Sequence, residues 1–497
     1  MIQPTATTAP RDTRFFGHPR GLATLFMTEL WERFSYYGMR ALLILFMTAA
    51  SSAGGLGFDV PKAGAIYGLY TTMNYLLSLG GGWIADRILG QRRAVLYGGI
   101  LIALGNFSLA APGLSWFYFG LVLIAVGTSL LKPNVSVMVG RLYGETDPRR
   151  DAGFSIFYMG INLGGFLSPL ACGYVGQNIN WRLGFGLAGI GMTLGLIQYL
   201  AGGRHLGEAG LHPIKPASAE EAARQKRQLR VGLGAVALLL AALALLKVSG
   251  LADITAQTLS NALGVILLLT VVVFFFWMFF LGHWTPAERK RLIVVGVLFA
   301  ASALFWCVFE QGGSTLNLFA QRSTDKTILG FSFPASWLQS VNALFIVMLA
   351  PVFAWLWVKL GRREPSSPAK FAWGLIFAGL GFLVLAGGAR IAATGVLVSP
   401  MWLVVVYLLH TFGELCLSPV GLSAMTKLAP ARITGLLMGV WFLSISVGEY
   451  LGGRAASLYE ALSLPTLFGV VATFAIAAGL ILAMLVKPTC KLMGDVK

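Results

Sequence analysis

Seven ionisable residues lie well inside apolar stretches of this sequence. They are Glu29, Glu32, Arg33, Arg40, Lys132, Glu310 and Glu414. A charged side chain at the centre of a bilayer costs about 2.5–3.5 kcal/mol on insertion scales, so such groups avoid lipid and mark ion or substrate pathways. Four of the seven are carboxylates and three are bases. If all are ionised, one negative charge is uncompensated, and one acid is therefore a candidate to bind a proton.

The stretch ELWERFSYYG holds the densest group of these residues. On a helical wheel with 100° per residue, its polar residues and the next arginine occupy one arc, while Gly38 lies opposite. The arc contains Glu29, Glu32, Arg33, Tyr36, Tyr37 and Arg40. The pattern predicts a helix whose polar stripe faces a cavity and not lipid. A substrate carboxylate that draws Arg33 away from Glu32 would then couple substrate binding to proton uptake.

The elements that must position these residues are membrane helices. The chain has 497 residues, of which 57% are hydrophobic and 11% charged, with a mean hydropathy of +0.75. Soluble domains carry roughly 25% charged residues, whereas a helix of about 20 apolar residues crosses the hydrocarbon core of a bilayer. The sequence therefore predicts an all-α polytopic membrane protein. Fourteen spans are expected, at 21–50, 61–86, 92–112, 115–140, 152–176, 182–202, 231–249, 258–282, 291–318, 336–360, 370–389, 400–424, 433–455 and 465–487.

Lysine and arginine concentrate in every second connection between the predicted helices. Examples are Arg87, Arg92 and Arg93 after the second span, and Arg289, Lys290 and Arg291 around the start of the ninth. Short cytoplasmic loops are enriched in these residues, so both termini are predicted to be cytoplasmic. The net charge of +17 is then a consequence of topology. Nucleic acid is not expected as a partner.

Two halves are indicated by a weak internal repeat. Trp31-Glu32-Arg33 matches Phe309-Glu310-Gln311, Lys132-Pro133 matches Ser418-Pro419, and FYMGINLGG matches WFLSISVGE, so that Gly164 corresponds to Gly448. Such similarity is typical of transporters that rock one bundle against the other around a site at the midplane.

The repeat and the polar connections together predict the domain organisation. A cytoplasmic tail at 1–20 precedes a six-helix bundle at 21–202, a cytoplasmic linker at 203–230 and a lipid-facing two-helix insertion at 231–282. A second six-helix bundle at 289–487 precedes a cytoplasmic tail at 488–497.

Other classes of function lack their sequence patterns. A membrane enzyme usually needs a paired Asp motif, a His cluster or an activated nucleophile, and a channel usually needs a selectivity-filter motif; neither is found in the sequence. The four cysteines, Cys172, Cys307, Cys416 and Cys490, have no metal-ligand spacing. We expect no metal, no cofactor other than a coupling proton, and no obligate protein partner.

Four motifs resemble those of the proton-dependent oligopeptide transporters, a family of the major facilitator superfamily. ELWERFSYYG is similar to the family's E-x-x-E-R signature, and GGWIADRILGQRR to the loop after its second helix. FYMGINLGG resembles the second signature, and FWCVFEQGGSTLNLF the motif of helix 7. The resemblance implies the superfamily fold, two six-helix bundles with 14 transmembrane helices in total. The two inserted helices are typical of prokaryotic members, which implies the inner membrane.

The same resemblance implies a symporter that imports di- and tripeptides with protons by alternating access. By matching position, Arg33 and Lys132 bind the peptide carboxylate and Glu414 binds its amino group. The other implied substrate contacts are Tyr36, Tyr37, Tyr75, Asn162, Asn342, Ser418 and Trp441. The implied proton-coupling residues are Glu29, Glu32, Arg33 and Glu310. Implied gates pair Arg40 with Glu310 on the periplasmic side and Lys132 with Glu414 on the cytoplasmic side.

Several alternatives stay open at this point. Tyr36, Tyr37 and Trp441 also suit ordinary helix packing, and Asn162 and Asn342 also suit hydrogen bonds between helices. His410 is either a proton relay or a packed core residue, and Glu449 either pairs with Arg454 or tunes the gate. The alternative substrate is nitrate or another small solute, which would leave Lys132 and Glu414 without a joint role.

Overall fold

The computed structural model describes residues 13–144, 147–250, 253–328, 330–430 and 433–494. Residues 1–12 and 495–497 of the two predicted tails lie outside the described residues. Fourteen long helices and one short helix, α10, are found in the described residues. They are α1 Arg20–Thr48, α2 Val60–Ile84, α3 Gln91–Ala110, α4 Leu114–Arg141, α5 Arg150–Tyr174, α6 Trp181–Gly202, α7 Ala219–Val248, α8 Ala256–Phe276, α9 Pro286–Phe309, α10 Thr315–Arg322, α11 Ser340–Leu360, α12 Ser367–Ala392, α13 Met401–Leu428, α14 Thr434–Ser457 and α15 Leu464–Met493. A two-stranded antiparallel hairpin, β1 Thr327–Ile328 and β2 Phe331–Ser332, follows α10.

The predicted all-α membrane fold is confirmed. Twelve helical stretches of the described chain are long and apolar enough to cross a membrane. The helices α1 and α2 complete the set of fourteen, although polar side chains make them less apolar than the rest. In α1 these are the four charges of the predicted stripe, and in α2 they include Tyr67, Tyr70 and Asn74.

The predicted span at 291–318 is interrupted in the structure. The helix α9 begins at a capping box in which Thr285 and Glu288 bond each other's main-chain N–H groups, with Pro286 at the first position. It ends at Phe309, a 3-10 turn occupies Glu310–Gly313, and α10 continues from Thr315. Two consecutive glycines disfavour a regular helix at this point. The break places Glu310 at the end of α9, inside the protein.

Glycines that match in the internal repeat make equivalent contacts in the two halves. A Cβ atom on Gly164 of α5 would lie 2.3 Å from the Leu30 carbonyl oxygen of α1. A Cβ atom on Gly448 of α14 would lie 2.8 Å from the Ala303 carbonyl oxygen of α9. Each glycine therefore allows the fifth helix of its half to pack closely on the first, as small residues do in membrane proteins.

The two halves meet through two helix pairs. In one pair α2 packs on α14, and in the other α5 packs on α11. A Cβ atom on Gly68 would lie 2.9 Å from the Cα atom of Gly453, so the α2 and α14 backbones nearly touch. These contacts leave a space between the pairs, in which the predicted site residues lie.

The inserted helices lie at the periphery. The apolar part of α7 is not buried in the protein, and only a small part of α8 is buried. The helix α8 packs on α2, and its Gly264 lies under the Tyr450 hydroxyl of α14. The helix α7 begins at Ala219, inside the predicted linker. The domain boundaries stay a prediction.

Candidate functional site

A cavity of about 270 Å³ lies between the two halves. Its volume is near the lower end of the roughly 300–1,000 Å³ typical of small-molecule sites. Helices α1, α2, α4 and α5 form one wall, and α9, α11, α13 and α14 form the other. Twelve predicted site residues line it: Glu29, Arg33, Tyr37, Arg40, Tyr75, Lys132, Asn162, Glu310, Asn342, Glu414, Ser418 and Trp441.

Two predicted site residues, Glu32 and Tyr36, lie behind the cavity wall. The residues of α1 that line the cavity are Glu29, Arg33, Tyr37 and Arg40. Glu32 and Tyr36 sit beside this stripe and are buried, at 0% and 5% exposure. The predicted arc is thus wider than the face that reaches the cavity, and both residues contact Arg33, which does line it.

Arg33 lies between two carboxylates on its own helix. Its Nε atom is 3.2 Å from Oε1 of Glu29 and donates a hydrogen bond to Glu32. One oxygen of each glutamate and the Nη2 atom of Arg33 have no hydrogen-bond partner among the described residues. Two buried acids therefore share one base. Because an unpaired buried charge is costly, binding a proton would stabilise this cluster. Once an acid is protonated, Arg33 can pair with another anion.

Aromatic rings support the two cations of this wall. The Arg33 guanidinium lies 5.1 Å from the ring centroid of Tyr36 and 5.9 Å from that of Tyr37. The Lys132 Nζ atom lies 3.9 Å from the ring centroid of Tyr75. Such contacts contribute about 0.5–2 kcal/mol to holding a cation. No ion pair of the described residues includes Lys132, so its charge remains available to an anion in the cavity.

The opposite wall carries a carboxylate. Glu414 on α13 accepts a hydrogen bond of 3.4 Å from Nδ2 of Asn342, which also donates to Thr411 Oγ1 at 2.9 Å. None of the ion pairs in the described parts of the chain includes Glu414. Apart from Arg40, which Glu310 pairs, the first wall thus presents the cations Arg33 and Lys132, and the opposite wall presents a carboxylate without a counter-ion among the described residues. This arrangement suits a ligand with charges of opposite sign at its two ends.

One of the two predicted gate pairs is formed. Arg40 makes an ion pair with Glu310, and its Nη2 atom also donates to the Glu310 carbonyl oxygen at 3.1 Å. Its Nε atom donates to the Tyr67 hydroxyl at 2.7 Å. These bonds join α1 and α2 to the break after α9. We call the end of the protein that carries Arg40, Tyr67 and Glu310 the gate end. Within the described residues, Lys132 and Glu414 are not paired.

Several cavity residues were not predicted from the sequence. They are Tyr158, Trp306, Phe309, Gln339, Tyr407 and Phe442. Tyr158 lies one helical turn before Asn162, and the Asn162 Nδ2 atom donates to the Tyr158 carbonyl oxygen at 3.0 Å. Both residues belong to FYMGINLGG, and their four-residue spacing predicts that they share a helix face. Gln339 precedes α11 and has no comparable pattern. In the described part of the chain, no group of His, Cys, Asp and Glu is placed to hold a metal ion.

His410 also lines the cavity, one turn before Glu414. Its ring stacks on Phe382 with the centroids 5.6 Å apart, and the Phe309 ring lies 6.0 Å away. The Nε2 atom is buried and has no hydrogen-bond partner among the described residues. The ring is thus packed between aromatic residues, and a relay role for it stays a prediction.

Gly313 touches the gate, which leads to a prediction about stability. A Cβ atom at this position would lie 2.0 Å from the Tyr67 hydroxyl and 2.7 Å from Arg40 Nε, whereas a Cβ atom on Gly312 would meet the Tyr407 ring at an ordinary 3.7 Å. We expect Gly313→Ala to displace the Arg40–Tyr67 bond and to destabilise the protein by about 1–3 kcal/mol, as overpacking does. Thermal unfolding of the purified protein in detergent measures this, with Gly312→Ala as the matched control. Equal melting of the two variants would contradict the contact.

The chain is similar to known transporter sequences over almost its whole length. The model of the POT family matches residues 92–470. Peptide transporter YePEPT of Yersinia enterocolitica subsp. palearctica serotype O:3 (strain YE-P4) is 41% identical over 506 residues, covering 99% of this chain and 98% of that protein. A di-/tripeptide transporter of Lactococcus lactis subsp. cremoris is 40% identical over 492 residues, covering 97% of this chain and 98% of that protein.

Solved structures show the same similarity in three dimensions. A crystal structure of a peptide transporter POT in complex with sulfate has a TM-score of 0.91 and 45% sequence identity, covering 96% of both chains. A POT family transporter in complex with 5-aminolevulinic acid has a TM-score of 0.88 and 37% identity, covering 96% of this chain and 98% of that one.

Proposed function

The chain belongs to the POT family, and from this premise we propose that it imports di- and tripeptides together with protons by alternating access. It is a multi-pass membrane transporter and not an enzyme. The observation that carries the proposal is the pair of oppositely charged cavity walls, Arg33 and Lys132 facing Glu414. A peptide with free ends has a carboxylate for the first wall and an ammonium group for the second.

The carboxylate end of the peptide binds Arg33 and Lys132 in this proposal. Both cations line the cavity, and Lys132 has an aromatic face beneath it. Sulfate in one similar structure and 5-aminolevulinic acid in another are an anion and a small molecule with a carboxyl and an amino group. Their binding to relatives supports an anion-binding wall here. The other residues proposed to hold the peptide are Tyr36, Tyr37, Tyr75, Asn162, Asn342, Ser418 and Trp441.

Proton coupling arises from the cluster of Glu29, Glu32 and Arg33. A peptide carboxylate that recruits Arg33 leaves the two glutamates with less positive charge nearby, so that one of them binds a proton. Glu310 takes part through Arg40, which it must release when the gate end opens. Peptide and proton are then loaded together, which is the requirement for symport.

The orientation follows from the basic connections. In the proposed topology both termini and the loops with Arg87, Arg92 and Arg93 lie in the cytoplasm of a prokaryotic cell, and the protein is in the inner membrane. The gate end then faces the periplasm. The Arg40–Glu310 pair closes the periplasmic side, and the unpaired Lys132 and Glu414 leave the cytoplasmic gate open.

Uptake into proteoliposomes tests the proposal directly. A labelled dipeptide is expected to accumulate when the outside is more acidic, and to equilibrate without accumulation when both sides have the same pH. Excess unlabelled dipeptide should abolish label uptake, and excess nitrate should not, because a small anion engages only the cationic wall. Uptake that ignores the pH gradient would overturn proton coupling, and competition by nitrate would favour the small-anion alternative.

Glu414 is expected to recognise the amino end of the substrate. Acetylating that end removes the positive charge and leaves a buried carboxylate unpaired, a loss of about 2–5 kcal/mol, or roughly 30-fold to several thousand-fold in affinity. An N-acetylated dipeptide should therefore compete far less well than the free dipeptide against labelled substrate.

The matched variant is Glu414→Gln, in which the two competitors should differ much less. Asn342 donates to Glu414 and can also bond the amide, so this substitution preserves the local hydrogen bonding. If both peptides inhibit uptake by the wild-type protein equally, Glu414 does not recognise the amino end of the substrate.

A further inference from the structure

Glu449 on α14 is a buried carboxylate without a counter-ion among the described residues, and the Thr71 hydroxyl of α2 approaches it. It is 2% exposed, and both carboxylate oxygens lack a hydrogen-bond partner among the described residues. Arg454, the neighbour considered from the sequence, instead donates to Asn261 of α8 at 2.9 Å. No ion pair of the described chain includes Glu449. An ionised carboxylate in such surroundings is strongly unfavourable.

The helix aims this carboxylate toward the gate. Trp441 and Ile445 line the cavity, and Glu449 follows them at the next turn of the same face. A Cβ atom on Gly452 would lie 3.1 Å from the Cys307 carbonyl oxygen of α9, and Gly453 touches Gly68 of α2. Close backbone packing on both sides keeps Glu449 inside the protein, between the cavity and the gate end.

The charged and titratable groups around Glu449 come from several helices. Its electrostatic neighbours are Arg40 and Tyr36 of α1, Tyr67 and Tyr75 of α2, Lys132 of α4, and Glu310, with the Thr71 hydroxyl also facing it. Further titratable residues on the helices packed against α14 include Tyr70 of α2, Cys307 of α9, and Tyr407, His410, Glu414 and Cys416 of α13, and α8 contributes none.

Arg40 cannot neutralise both carboxylates in the closed gate. Its Nη2 atom is bonded to Glu310 and its Nε atom to Tyr67. Glu310 and Glu449 belong to the second half, whereas Arg40 belongs to the first. One base therefore meets two buried acids at the gate end, and closing the gate leaves one acid that must be neutral.

We propose that Glu449 is a second proton-binding site, separate from the Glu29 and Glu32 cluster, that must be protonated for the Arg40–Glu310 gate to close. The inference rests on the proposed proton-coupled transport. When the halves part at the gate end, Arg40 leaves both acids, and the Glu449 carboxylate takes one proton from water outside. Closing the gate buries the carboxylic acid. When the cavity opens to the other side, the proton leaves to cavity water past Ile445. The carboxylate that remains beside the Arg40–Glu310 pair is unfavourable there, and its charge favours reopening of the gate end.

The number of protons moved per peptide tests this site. In proteoliposomes, the peptide gradient that just stops net flux is measured at a fixed pH gradient and zero membrane potential. One proton moved across one pH unit supports a tenfold peptide gradient. The balancing gradient is therefore expected to fall about tenfold in Glu449→Gln, which mimics the protonated acid, while peptide exchange continues.

The controls separate the outcomes. Glu460→Gln removes an exposed carboxylate that pairs with Arg322, and it should leave the balancing gradient unchanged. Glu449→Asp retains an acid and should restore most of the wild-type value. An unchanged gradient in Glu449→Gln, with a proton-dependent wild type, overturns the second site alone. A wild type without proton dependence overturns the proposed function itself.

Infrared spectroscopy covers the case in which Glu449→Gln does not fold. The purified wild-type protein should show a carbonyl band of a protonated carboxyl group at neutral pH, and Glu449→Asp should shift that band. A band that Glu449→Asp leaves unchanged would overturn the assignment.

Discussion

Glu32→Gln is expected to abolish peptide accumulation while peptide exchange continues. Glu32 is completely buried and accepts a hydrogen bond from Arg33 Nε, and Glu29 approaches the same Nε atom. The amide has the shape of a protonated acid but cannot release a proton. Substrate can still load and exchange, yet the proton cycle that returns the empty carrier stops, so net uptake ceases even though Glu449 still binds its proton.

The size of the effect follows from the proton gradient. With one pH unit across the membrane, each coupled proton supports tenfold accumulation by the wild type, whereas a carrier limited to peptide-for-peptide exchange should show an accumulation ratio no higher than one. Exchange is measured by loading proteoliposomes with unlabelled dipeptide and adding label outside. Glu32→Asp, which keeps an acid, is the matched control and should retain part of the accumulation. Concentrative uptake by Glu32→Gln would show that the transport cycle does not require proton exchange at Glu32.

Reversing the charges of the gate pair is expected to rescue part of the activity lost in either single variant. Arg40→Glu places two buried acids together, and Glu310→Arg places two bases together. Breaking a desolvated charge pair costs about 2–5 kcal/mol, so each single change should reduce uptake at least 30-fold. The double variant restores the attraction and should regain at least about tenfold over the singles.

An exposed ion pair supplies the control for this experiment. Arg322 and Glu460 approach to 2.6 Å, but their side chains are 39% and 45% exposed. Exposed pairs contribute only about 0–1 kcal/mol, so reversing this pair should change uptake by less than about fivefold. Full rescue by the gate double is not expected, because Tyr67 and the Glu310 carbonyl bond the arginine in its present place. If the double variant is as inactive as both singles, direct pairing is not what closes the gate.

The membrane fold was predictable because its signal is local. A window of about 20 residues is compared with the thickness of one bilayer, and no knowledge of its neighbours is needed. All fourteen helices were therefore found from hydropathy, even α1, where the charges interrupt the apolar run. The polar stripe of α1 was likewise predictable from spacing alone, because residues one turn apart on a helix share a face.

The interior of the site needed contacts between distant parts of the chain. Arg40 and Glu310 are 270 positions apart, and Asn342 and Glu414 are 72 apart. Hydropathy contains no information on which groups meet across two bundles. For the same reason the spacing could not tell that Glu29 reaches the cavity while Glu32 lies behind its wall.

By itself, then, the sequence determined the class of protein, the number of helices and the charged residues that lipid cannot surround. The tertiary structure decided which of those charges have partners. The unpaired charges of Lys132 and Glu414 and the position of Glu449, without a counter-ion among the described residues, depend on how the helices of the two halves come together. The physical reason is that the free energy of transferring a side chain from water to lipid depends only on that residue and its medium. Charge compensation depends on pairs of residues that only packing brings into contact.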